Sequence, residues 1–345
     1  MRTGAIALTL RLLLTISVPQ PLSSQHAWTL VNAPQVDLWF HGLAVVGFRG
    51  FGPLPLYDPG YGVRIRLAKD SLGVFPTALD RQAERFRTAF EQDSNFEVLH
   101  FVPLYFAAAD RGAMLEALRA VSRQRTGVPA VADPRTRFGA AAVAAVLRRP
   151  EERRMLGAFA DALDREWREF YGDYWAKLWA ERGARVAELQ TEWDARFAAP
   201  LADYLRAQRL DRGIIFLSPA LGADGRIFEG DPADRTDNLV AVRVPGSGDT
   251  SDVPLYAAVR ELCYPAVRQA LAGEPASASR VAAERTSSDA AMRCGTLLLN
   301  ARAPALLPGY RRAFASDTLT ATFEAAYPLD PALASALGRL LQLRN

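Results

Sequence analysis

Apolar positions along the chain follow two periods. From about Arg111 to Arg209 they recur every three or four residues. Met114, Leu115, Leu118 and Val121 form one stripe, Met155, Phe159, Leu163 and Trp167 a second, and Trp193, Phe197 and Leu201 a third. This spacing predicts successive amphipathic helices, with a further one over Gly139–Leu147 closed by Pro150. Leu79, Ala83, Phe86 and Phe90 place a helix over Ala78–Gln92. Two later runs read as strands. Ile214–Leu217 is short and wholly apolar, ended by Pro219 and Gly222, and Asn238–Val244 is apolar at Leu239, Val240, Val242 and Val244. Three more strands are predicted in the N-terminal third. Val36–Val46 is apolar and β-prone, and Phe96–Val102 is short. Tyr61–Leu67 alternates, with Val63, Ile65 and Leu67 on one face and Arg64 and Arg66 on the other.

Beyond the Asn238–Val244 strand, Pro254 suits the first turn of a helix reaching about Ala272, with Asp252 as its candidate cap. Its stripe Leu255, Val259, Leu262 and Ala266 is predicted to be buried. A helix containing Asp289–Asn300 follows, and helical pieces broken at Pro308 and Pro328 run to the end. The sum is an α+β fold, mainly helical, with a small twisted sheet and the Pro254–Ala272 helix central beneath a cleft. Residues 1–24 read as a leader, 25–110 as a strand-containing part and 111–345 as a helical part, the last two forming one continuous globular unit. The aromatics Tyr171, Tyr174, Trp175 and Trp179 lie at helical spacing and read as core.

Composition narrows the class. With 345 residues, 50% apolar and 23% charged, the chain is long enough to bury a core without staples. No apolar run after the N-terminus reaches the roughly 18 residues of a membrane span. Residues 1–24 carry Arg2 and Arg11, an apolar Leu12–Val18 core and small residues at Ser23 and Ser24, the pattern of a secretory signal. A secreted or periplasmic protein is therefore expected, with no membrane association once the signal is removed. Formal charge is +3, and Lys69 and Lys177 are the only lysines. Arginines alternate with Asp and Glu rather than forming a basic block with interleaved aromatics, so nucleic acid is not an expected partner. Cys263 and Cys294 fall on two consecutive predicted helices. Two readings stay open for them, a disulfide suited to an oxidising compartment and a pair of buried thiols.

Most chemical motifs are missing. There is no phosphate-binding loop, no dinucleotide fingerprint and no nucleophile elbow. His26, His41 and His100 are scattered through the N-terminal third, and a Ser–His–Asp site built on His41 or His100 would have to form in space. The informative stretch is Arg260-Glu261-Leu262-Cys263-Tyr264, on the helix that follows the two later strands. Zincin peptidases carry His-Glu-x-x-His on a helix. Residues four apart share a face and hold one zinc, while the glutamate acts as base on the zinc-bound water. Here Glu261 keeps the base position, and Arg260 and Tyr264 stand at the two ligand positions.

With the order strand, loop, strand, helix around it, the chain resembles a family of bacterial zincin-type peptidases of the gluzincin group. Three stretches carry the resemblance: Val36–Val46 as an early strand, the aromatic helix around Phe170-Tyr171, and the block from Ile214 to Val267. The resemblance implies a zincin-like fold with an edge strand before the active-site helix, where an extended substrate binds by strand addition. The departures imply loss of zinc. An arginine is permanently cationic and does not ligate a metal, and a phenol is a rare ligand. The expected protein is a secreted pseudo-metallopeptidase without a cofactor, with a vestigial base at Glu261 and a peptide or protein in its groove. Arg260 is expected to replace the lost metal's charge by pairing with Glu284 or Asp289. Two other readings stand beside this one. One is an active metallopeptidase with unconventional ligands such as Glu261 and Asp289. The other is a secreted helical scaffold unrelated to peptidases.

Overall fold

A computed structural model describes residues 27–341 except 50–53, 125, 231–236, 246–251, 273–279 and 316–321. The leader and His26 lie outside the described residues. A four-stranded sheet holds β1 (Trp28–Val31), β2 (Gly213–Ser218), β3 (Arg226–Phe228) and β4 (Asn238–Arg243) in the order β1-β2-β4-β3. β1, β2 and β4 are parallel, and β3 runs antiparallel to β4 as an edge strand. The fold is thus mainly helical α+β with a small mixed sheet.

The sheet separates two apolar cores. Ile215, Leu217, Val240 and Val242 face one, while Phe216, Leu239 and Ala241 face the other. Helices cover both faces, which is why β2 and β4 read as nearly continuous apolar runs rather than as an apolar–polar alternation. β1, at the start of the described chain, pairs with β2 about 180 residues later, so most of the helices lie in the crossover between them. Gly213 permits the tight approach at this seam. A Cβ there would meet the Asn238 carbonyl at 2.4 Å and the Trp28 ring at 2.5 Å.

Three predicted strands are helical instead. Val36–Val46 lies in α1 (Pro34–Val46), a helix buried on nearly every side, with Pro34 in its first turn. An unbroken apolar run fits a buried helix as well as a buried strand, and here helical packing decided. Tyr61–Leu67 belongs to α2 (Tyr61–Ser71). Its buried residues are Tyr61, Ile65 and Lys69, four apart, whereas Val63 and Leu67 are 64% and 63% exposed. The alternation in sequence was a coincidence of a helix with one narrow buried stripe. Phe96–Val102 is mostly a 3₁₀ helix, Ser94–His100, followed by a helical turn. The part over residues 25–110 therefore contributes one strand and several helices, and the other three strands come from the part predicted to be helical. Two further strands form: β1, and β3 inside the loop between the two later predicted strands.

The helix over Ala78–Gln92 forms as expected (α3), with Thr77 and Asp80 closing a reciprocal capping box. The middle of the chain is helical through α4 (Arg111–Arg123), α5 (Pro134–Val146), α6 (Pro150–Glu166) and α7 (Gly172–Glu192). The Pro254–Ala272 helix is two helices, α8 (Val253–Leu262) and α9 (Tyr264–Leu271), which meet at Cys263. Pro265 has no N–H to continue the ladder and opens α9. Every residue of α8 is buried, and the stripe Leu255, Val259, Leu262 and Ala266 is fully enclosed against the β4 face. The last long helix described is α10 (Arg280–Arg302).

Candidate functional site

α8 brings Arg260 and Glu261 to its C-terminal end, and the break at Cys263 leaves Tyr264 on the first turn of α9. All three face the connection that leads into β3. This connection is pinned from outside: the N–H groups of Gly222 and Asp224 donate to the carbonyls of Leu56 and Pro55 at 2.7 and 3.1 Å. Asp224 is thereby fixed beneath α8. Gly225 follows, and a Cβ on it would collide with the Ala241 carbonyl at 2.7 Å and the Glu261 side chain at 2.8 Å. The missing side chain lets Glu261 lie against the backbone, whose Gly225 N–H donates to its carboxyl.

Arg260 is 1% exposed and makes four hydrogen bonds. One terminal nitrogen donates to Asp224 Oδ1 at 2.6 Å and to Glu261 Oε1 at 2.8 Å. The other donates to the Tyr264 hydroxyl at 2.8 Å and to Ser288 Oγ of α10 at 2.9 Å. Arg226 of β3 donates to the second oxygen of Asp224 at 2.8 Å. Burial opposes ionisation of Asp224, but the two guanidiniums outweigh it and hold its carboxyl below the usual range. For Glu261, burial, aided by the nearby Asp224 charge, outweighs Arg260, the more distant Arg226 and the Gly225 N–H, and pushes its carboxyl up to about 7. Burial likewise raises the Tyr264 phenol, keeping it neutral.

The ion pairs of Arg260 do not involve Glu284 or Asp289. Glu284 is exposed, and Asp289 is nearly buried on α10 but forms no ion pair with Arg260. The partners are Asp224 and Glu261. Asp224 arrives from a loop 36 residues away, which no local pattern announces. β2 and β4 lie inside the sheet, and the edge strand beside the site is β3.

A cavity of about 260 Å³ opens here. It is lined by Glu97, His100 and Phe101, by Asp224–Ile227, and by Glu261, Tyr264, Arg268, Glu284, Ser287 and Ser288. Arg268 is paired with Glu229. Among the described residues His100 joins no Ser–His–Asp triad. Its Nδ1 lies 2.8 Å from the Tyr57 hydroxyl, and its ring stacks on Phe48 at 4.5 Å. Burial and the nearby Arg226 charge lower its pKa well below the ordinary value, so it is neutral. His41 is also no triad member. It is fully buried, 2.9 Å from the Tyr61 hydroxyl and 3.0 Å from Glu166, which in turn holds Lys69 at 2.7 Å.

The residues at the two ligand positions that the resemblance implies, Arg260 and Tyr264, do not fit zinc. Arg260 places a guanidinium against both carboxylates that could have helped to hold a metal, and it occupies Glu261 Oε1. Among the described residues, no three of His, Cys, Asp and Glu are grouped to bind a metal ion. Cys263 and Cys294 are buried free thiols behind this site, close enough for their side chains to hydrogen-bond. Comparison with protein-family models, curated proteins and solved structures finds no match for the chain.

Proposed function

We propose that the chain is a secreted, catalytically inactive zincin-like protein that binds a peptide segment in its former active-site groove. The observation that carries the reading is Arg260. It stands at a metal-ligand position on the helix after the sheet, and its buried guanidinium bonds Asp224, Glu261, Tyr264 and Ser288. A fixed cation there supplies the charge that a metal would supply, without a Lewis-acidic site or an activated water. Glu261 keeps the place of a base with nothing to deprotonate.

The surroundings suit an extended peptide. β3 is an edge strand of the sheet and lines the cavity with Arg226 and Ile227. A peptide added along a sheet edge gains main-chain hydrogen bonds, and adjoining hollows take its side chains. Next to the cavity, Phe138 of α5 is 51% exposed and rests 5.5 Å from Phe228 of β3 and 5.8 Å from Tyr105. Such a partly open aromatic surface gives a bound chain apolar contact area.

Metal content of the purified mature protein, measured by elemental mass spectrometry after mild dialysis, tests the reading. Zinc close to zero is expected, together with no chelator-sensitive cleavage of casein. About one zinc per chain would overturn it and return the site to metallopeptidase chemistry.

A further inference from the structure

We infer that Tyr264 and Ser288 together hold one oxygen of the bound peptide, a main-chain carbonyl, by donating their hydroxyl protons to it; the inference rests on the peptide-binding reading and deepens it. Chemistry fixes the hydrogen-bond roles around Arg260. A guanidinium only donates, so the Tyr264 and Ser288 oxygens, 2.8 and 2.9 Å from its second terminal nitrogen, are acceptors there. Each hydroxyl keeps its own proton to give, and neither proton has an acceptor among the described residues. Comparable groups elsewhere in the chain do spend theirs. On α10, Thr286 and Thr296 donate to carbonyls four residues back at 2.9 and 3.1 Å. Tyr204 and Tyr310 donate to the carbonyls of Leu262 and Met292 at 2.8 and 3.2 Å. Ser288, only 3% exposed, and Tyr264 both line the cavity instead. A buried donor without an acceptor is costly, and an incoming oxygen would satisfy both at once.

The groups left over favour a neutral oxygen rather than a carboxylate. Both terminal nitrogens of Arg260 are committed, one to Asp224 and Glu261 and the other to the two hydroxyls. Of the guanidiniums that line the cavity, Arg226 is paired with Asp224 and Arg268 with Glu229. A peptide carboxylate would have to displace one of these partners. A carbonyl oxygen needs only the two uncharged O–H groups, which Arg260 polarises by donating to their oxygens. Both hydroxyls lie within 2.9 Å of one nitrogen, near enough together for a single oxygen to accept from both. The hollow of about 260 Å³ is far larger than the roughly 30 Å³ that one water takes in the liquid, which leaves room for a peptide unit. Arg226 and Ile227 of β3 line the same hollow, so a chain added along that edge runs beside the two hydroxyls.

A synthetic pool of random octapeptides, acetylated and amidated at their ends, is passed over the immobilised full chain. The tightest binder, dye-labelled, is then titrated by fluorescence anisotropy. Tyr264→Phe and Ser288→Ala, which remove one proton each at nearly constant volume, should each weaken binding about three- to tenfold. Placing 3,5-difluorotyrosine at position 264 makes the phenol a stronger donor and a weaker acceptor, so binding at pH 6 should tighten. A role confined to holding Arg260 would not produce that gain. The free-acid form of the same peptide should bind no more tightly than the amidated form. If both single variants bind like the native chain, the two protons serve solvent only, and the inference is overturned while peptide binding stands. A free-acid peptide that binds over about tenfold more tightly also overturns it, in favour of a carboxylate. Should Tyr264→Phe fail to fold, unchanged or weaker binding by the difluorotyrosine chain overturns it. If no peptide binds, the groove reading itself falls.

Discussion

At the scale of single residues the molecule holds ionisable groups where solvent does not reach, and their neighbours decide their state. Arg260 is the sharpest case. Removing it leaves Glu261 without its ion-pair partner and Asp224 with Arg226 alone. Arg260→Met should therefore destabilise the fold by about 3–5 kcal/mol, read from urea unfolding. A gain in stability would refute the pairing. Asp37 of α1 is a second case. It is fully buried and accepts hydrogen bonds from the indoles of Trp175 and Trp179 at 2.8 and 2.9 Å. Burial outweighs these bonds and pushes its carboxyl up to about 7. Between the ordinary value of 3.8 and about 7 the folded chain keeps a proton that the unfolded chain releases. Its contribution to stability is complete below that window and is lost as pH rises through it. Asp37→Asn should consequently raise the Tm at pH 8 and leave it nearly unchanged at pH 4. An equal shift at both values would refute the assignment.

At the scale of elements, β2, β4 and α3 are legible in the sequence. β2 and β4 are short apolar runs between Gly- and Pro-rich turns, and α3 carries its own cap and a clear stripe. α1 and α2 are not legible. An apolar run such as Val36–Val46 carries no period, because a helix enclosed by its neighbours has no polar face to mark it. In α2 the only buried cation is Lys69, whose partners Asp80 and Glu166 lie elsewhere in the chain. Read locally, Lys69 is a solvated charge and masks the stripe Tyr61–Ile65–Lys69. The seam between β1, β2 and β4 depends on Gly213, where backbone and indole approach from opposite sides. Gly213→Ala should cost about 2 kcal/mol, measured by chemical denaturation, because neither Trp28 nor the Asn238 carbonyl can retreat without parting the strands.

At the scale of the whole molecule, two apolar cores share one sheet, and the candidate site lies where they meet. Glu97, His100 and Phe101 come from the N-terminal side, while Glu261, Tyr264 and Ser288 come from the helices of the other core. Neither half builds the site alone. The two cysteines sit in the second core, fully buried, and burial raises the Cys263 thiol well above its ordinary value. They should not react with a thiol-specific dye in native buffer, and both should label at the rate of global unfolding in denaturant. Rapid native labelling would show that α9 and α10 separate locally.

The sequence by itself determined the helical middle of the chain, two strands of the sheet, the burial of the Leu255–Ala266 stripe and the unusual stretch from Arg260 to Tyr264. All of these are written in spacing within about twenty residues. The packing of distant segments made Val36–Val46 a helix, set β3 at the edge beside the site, and paired Arg260 with Asp224 rather than with Glu284 or Asp289. It also decided that His100 faces the cavity. Hydrophobic periodicity records which face of an element is covered but not what covers it. The partners of a buried charge come from whichever distant segment the packing brings within hydrogen-bond reach.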